Sequence, residues 1–118
     1  MKAEIKYFHS PDVYELEKYV PIENDNFGFL LELEIGIVGK DGADLFNIML
    51  CTPKWLINNN KNDEIIFGRH HLIVFEYNYQ KIYKTLNDYI SNIDCENWEE
   101  IANIISRIAH WEFEDYKE

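Results

Sequence analysis

Cys51 stands directly before Thr52-Pro53, and a thiol at the start of a helix is placed to be a nucleophile because the helix dipole lowers its pKa. A thiolate also needs a base beside it, and the candidates are His9, His70, His71 and His110. Against this, the run leading into Cys51 is apolar, which favours a buried structural thiol. His70 and His71 are adjacent. On a strand their rings point to opposite faces and cannot share one metal ion, so one ring is expected in the core and the other at the surface. The chain has no HExxH spacing, no CxxC pair, no GxSxG elbow and no Gly-rich phosphate loop. The residues therefore point to no enzyme, no cofactor and no metal. A small Cys/His hydrolase is the competing reading, and a structural or adaptor subunit is a third.

Binding is better supported than reaction. From Asp94 onward eight carboxylates face only Arg107 and Lys117, so six of the eleven net negative charges lie in this final stretch. Trp98, Trp111, Phe113 and Tyr116 are interleaved with them. Aromatic anchors rimmed by acid are what a surface for a basic protein uses, the rings for affinity and the charge for steering. Glu112, Glu114 and Asp115, with Glu99 and Glu100, are the candidate partner-binding residues. If Trp111-Glu112-Phe113 is extended, its alternation turns the aromatics inward and Glu112 and Glu114 outward as one acidic strip. If it is helical, the strip breaks up. The bland alternative puts Trp98 and Trp111 in the core and leaves the acids to keep the chain soluble.

The whole composition agrees with a binding role. The chain has 118 residues, 47% of them hydrophobic and 15% aromatic, which excludes disorder and predicts one domain over 1–118. A net charge of −11 repels phosphate backbones and anionic lipid, so neither nucleic acid nor membrane is expected as a partner. No signal peptide or apolar span is visible, and Cys51 and Cys95 read as free thiols, so a cytoplasmic location is expected.

The elements that must position these residues follow from periodicity. Residues 3 to 8 alternate as a strand, with Ala3, Ile5 and Tyr7 on one face. Asp12 to Asn26 is an acidic surface loop or short helix. From Phe27 to Val38 every odd position up to Ile37 is apolar, a half-buried strand. Gly39-Lys40-Asp41-Gly42 turns the chain into a second strand over Leu45 to Cys51, which predicts an antiparallel hairpin. Thr52 as N-cap and Pro53 at the first helical position start a short helix that ends in the polar run Asn58 to Asp63. Glu64 to Tyr77 reads as the last strand, with Ile73, Phe75 and Tyr77 facing one way. Apolar residues from Tyr79 to Ile93 follow a helical stripe, and Asn97 with Glu100 caps a second helix over Trp98 to Ala109. The expected fold is α+β: about four strands, mainly antiparallel, with two C-terminal helices on one face. A short edge strand at Trp111-Glu112-Phe113 is the variant.

Four stretches together carry a family resemblance: Cys51-Thr52-Pro53-Lys54-Trp55-Leu56, Phe67-Gly68-Arg69-His70, Leu72 to Tyr79, and His110-Trp111-Glu112-Phe113-Glu114-Asp115-Tyr116. Through them the chain resembles the immunity protein 8 family of bacterial polymorphic toxin systems. The resemblance implies a small cytoplasmic α+β protein that binds and neutralises a cognate toxin domain, without catalysis or cofactor. It assigns no residue a contact. A basic toxin, such as a nuclease, is the partner that the acidic charge would select.

Overall fold

In a computed structural model residues 1–62 and 65–115 are described. Asp63 and Glu64, and Tyr116 to Glu118 of the acidic end, lie outside the described residues. The central strands are β1 (Ala3–His9), β2 (Gly28–Ile37) and β3 (Asp44–Cys51), each antiparallel to its neighbour. Along β2 the odd residues Phe29, Leu31, Leu33 and Ile35 are buried, as the alternation requires. The hairpin between β2 and β3 turns on Gly39 at φ 78° and Gly42 at φ 96°, angles that favour glycine.

The first strand departs from simple alternation. Ile5 pairs with Ile35 but Tyr7 with Glu34, so Lys6 is an extra residue in a bulge. The bulge reverses the side-chain faces after it. Ala3 and Ile5 point to the core as expected, but Tyr7 is turned outward, 57% exposed, and Phe8 takes its place against the helices.

After β3 the helix α1 (Pro53–Asn59) starts as the sequence predicts. Thr52 Oγ1 accepts the Trp55 N–H at 3.3 Å and the Phe27 N–H at 3.2 Å, tying the cap to the start of β2. The strand expected over Glu64 to Tyr77 is much shorter, β4 (His71–Ile73), and it runs parallel to β3 because the chain returns through the α1 crossover. It cannot start earlier because His70 sits in the left-handed region at φ 63°, so the two histidines are not a strand pair, and both rings are only half-buried. Nor does it continue. The chain bends at Phe75 and Glu76, so Tyr77 returns to the core while Ile73 and Phe75 stay exposed, and the expected common face of those three residues does not exist.

Two helices then cover one face of the sheet. The stripe of α2 (Tyr79–Ser91) buries Ile82, Leu86 and Ile90, and α3 (Trp98–Ile105) buries Ile101, Ala102 and Ile105. Each stops before its predicted end, at Ser91 rather than Ile93 and at Ile105 rather than Ala109, where the chain tightens into turns. Asn97 caps α3 by accepting the Glu100 N–H at 2.9 Å, while the Glu100 carboxylate reaches the Glu96 N–H at 3.4 Å rather than that of Asn97. Last comes β5 (His110–Trp111), the short edge strand, antiparallel to β3.

The result is an α+β fold with a mainly antiparallel sheet in the order β1-β2-β3-β4, and β5 beside β4 on the same outer side of β3. That outer side is completed piecemeal. Glu112 Oε1 accepts the Leu45 N–H at 2.9 Å and the Glu112 N–H returns to Leu45 O at 3.0 Å; His70 O takes the Met49 N–H at 2.9 Å, and the Val74 N–H meets Cys51 O at 2.9 Å.

Candidate partner-binding surface

The acidic C-terminal segment is built into the sheet edge. Asp44, the first residue of β3, points to the core face beside Ile35, and its Oδ2 accepts both the Trp98 indole N–H at 2.7 Å and that of Trp111 at 3.0 Å. The two rings flank buried Phe46, Trp111 stacked at 6.3 Å and Trp98 edge-on at 6.4 Å. Both tryptophans therefore pack as supports of the core, the bland reading of these residues.

The five candidate carboxylates divide. Glu112 is occupied by Leu45. Glu114, with its side chain 17% exposed, is bidentate to Arg69 at 2.6 and 3.2 Å and lies 3.4 Å from His110 Nδ1. Glu100 serves the α3 cap. Glu99 and Asp115 are exposed and make no ion pair among the described residues, with Asp115 at φ 61°. Extension ends at Trp111, so the strip expected of Glu112 and Glu114 is replaced by two separate internal contacts.

Cys51 is fully buried and burial raises its thiol pKa, which opposes the helix dipole and keeps it a thiol. Cys95 is likewise a free cysteine. Among the described residues no group of three or more His, Cys, Asp or Glu side chains is placed to hold a metal ion. No described helix is long and apolar enough to cross a membrane.

A different surface emerges on the sheet face opposite α2 and α3. Because of the Lys6 bulge, His9 pairs with Glu32, Glu32 with Asn47, and Asn47 with His110, so four polar side chains form one row across β1, β2, β3 and β5. The row on one side is Tyr7, Glu34 and Leu45; on the other it is Leu30, Met49 and His71. Beyond these, Trp55 lies flat on Gly28, where a Cβ would sit 2.3 Å from the indole, so only glycine admits the ring. Within the central row His9 Nε2 is 3.4 Å from a Glu32 carboxylate oxygen, and Tyr7 covers His9 with ring centroids 4.5 Å apart. Two buried side-chain atoms there, His9 Nδ1 and Asn47 Oδ1, have no hydrogen-bond partner among the described residues. Glu32 and Glu34 were visible in the sequence as the polar positions of β2. Their alignment with His9 and Asn47 was not, since it depends on the bulge.

The family model described as Immunity protein 8 matches residues 3–116, nearly the whole chain. Neither a curated protein nor a solved structure matches it.

Proposed function

The chain belongs to the immunity protein 8 family, and from that membership we propose that it binds and inhibits a cognate toxin domain in the bacterium that makes the toxin. Residues 1–118 act as one binding unit in the cytoplasm. Inhibition is by occupancy, without catalysis, nucleic acid or membrane contact. The observation that carries this reading is the family match over residues 3–116. Its physical support is the net charge of −11, which speeds encounter with a basic toxin such as a nuclease and so favours capture before damage. Burial of Cys51 argues against the thiol-hydrolase alternative.

In this reading Glu99, Glu100, Glu112, Glu114 and Asp115 contribute long-range attraction at the rim of the contact. Rim charges set association rate and salt dependence more than final affinity. The test is to identify a toxin domain encoded in a neighbouring reading frame and to co-express it with this chain. Growth should be rescued and the two chains should co-purify, and Cys51→Ser should rescue as well as the parent. Loss of rescue in a folded Cys51→Ser protein would favour catalysis instead, and absence of rescue by the parent would remove the immunity role against that toxin.

A further inference from the structure

We infer that the toxin docks on the open face of the sheet, with an arginine or lysine of a basic partner seated over Glu32, Glu34 and Asn47. This rests on the toxin-binding reading above and adds the surface and the chemistry of the contact.

Hydrogen-bonding capacity gives the first reason. His9 Nε2 lies 3.4 Å from a Glu32 carboxylate oxygen, and in the tautomer that carries its proton on Nε2 the ring presents Nδ1 as an acceptor. Asn47 Oδ1 is an acceptor, and so are the carboxylates of Glu32 and Glu34. The centre of this face is therefore rich in acceptors, two of which have no donor among the described residues. Buried polar atoms are nearly always paired, so two orphans in one row of a sheet call for donors from outside. A guanidinium brings five donors and no acceptor in a planar fork, and an ammonium brings three. Tyr7, 57% exposed, covers the His9 ring, so a partner that reaches His9 Nδ1 has to displace it.

The surroundings supply the second reason. Tyr7 and Met49 stand in the rows beside the acceptors and Trp55 lies beyond Met49, and these residue types are enriched at interfaces. The rim carboxylates along the β5 edge adjoin the same face through His110, which ends the central row. Charge excludes a second copy as the preferred occupant: at a net −11 per chain, self-association would press Glu32 and Glu34 against like charge. A basic protein meets the same face with attraction.

The deciding measurement compares binding of the catalytically inactivated toxin domain from the neighbouring reading frame to the parent, to Glu32→Lys/Glu34→Lys and to Asn47→Ala, with thermal melts of each. The charge reversal should weaken affinity on the order of a hundredfold or more, because like charges then face each other at the centre of the contact. Asn47→Ala should weaken it about tenfold. If the reversed pair disturbs folding, Glu32→Gln/Glu34→Gln keeps the size and should still cost about tenfold. A folded double variant that binds within about threefold of the parent overturns the surface assignment and leaves toxin binding standing. A parent that does not bind overturns the toxin-binding reading, and this inference falls with it. A parent that sediments as a dimer, with the double variant monomeric, assigns the face to a second copy and overturns the inference by another route.

Discussion

The β5 edge and the open sheet face are both acidic, yet they use their carboxylates in opposite ways. At the edge, Asp44 holds two indoles, Glu112 satisfies a backbone N–H of β3, and Glu114 grips Arg69. On the open face, Glu32 and Glu34 lie in rows where acceptors outnumber donors and where two polar atoms have no partner among the described residues. The first set of acids is bonded within the fold; of the second, Glu32 meets only the His9 ring among the described residues, and this is the set that the docking proposal uses. A tally of charge along the sequence favours the C-terminal end, whereas an inventory of hydrogen-bond capacity favours the sheet.

The distinction is most exposed to failure at Asp44. Asp44→Ala leaves two half-buried indole N–H groups without their shared acceptor and should cost about 2–3 kcal/mol in urea unfolding. Glu32→Gln should cost less than about 0.5 kcal/mol, as surface substitutions usually do. Equal costs would erase the difference between the two regions. Glu112→Ala comes next, at about 1 kcal/mol, since it releases the Leu45 N–H.

Glu114→Gln should be milder, at most about 0.5–1 kcal/mol, because Arg69 is 60% exposed and the pair is screened. Its effect should shrink in 1 M salt, where screening acts within ~3 Å. A larger loss would make the pair a structural clasp.

The smallest effect belongs to Glu23, in the acidic Asp12 to Asp25 segment. Hydrogen bonds from Lys54 and Asn26, with the Lys54 charge, hold its carboxyl below the usual carboxylate range. A depressed folded-state pKa contributes stability above the unfolded value, and that contribution disappears as pH falls through the folded one. Glu23→Gln should therefore change stability most above the ordinary glutamate range, less as pH falls toward the depressed folded value, and not at all below that value. In carboxyl-resolved NMR Glu23 should titrate below the usual carboxylate range; titration within that range would remove Lys54 as a partner.

What the sequence revealed was local. The alternation of β2, the glycine turn, the Thr52-Pro53 start of α1 and the apolar stripe of α2 each depend on residues a few positions apart, and each recurs in the structure. The hidden features are long-range or irregular. Nothing near Lys6 announces a bulge, yet it turns Tyr7 outward and sets the register that aligns His9 with Glu32. The length of β4 is decided by the left-handed turn at His70 before it and by the bend that brings Tyr77 back to Tyr19 and Phe27 after it. The union of Trp98 and Trp111 on Asp44 spans 54 and 67 positions, beyond any window of periodicity. Glu112 and Glu114 were therefore found as part of a composition, and their bonds came only with the tertiary fold.

The piecemeal outer side of β3 also imposes an order of assembly. Strands β1 to β3 are joined by near-neighbour connections, so their meander can form while the chain is still emerging from the ribosome. The Leu45 to Asn47 stretch of β3 has to wait for His110, Trp111 and Glu112, the far side of a loop more than sixty residues long. During that interval an unpaired strand, with Phe46 still lacking its two indoles, is open to pairing with another nascent chain. His110, Trp111 and Glu112 thus act as a closing stitch. Shortening the chain before it should turn a monodisperse product into one that aggregates during synthesis, even though most of the core has already been made.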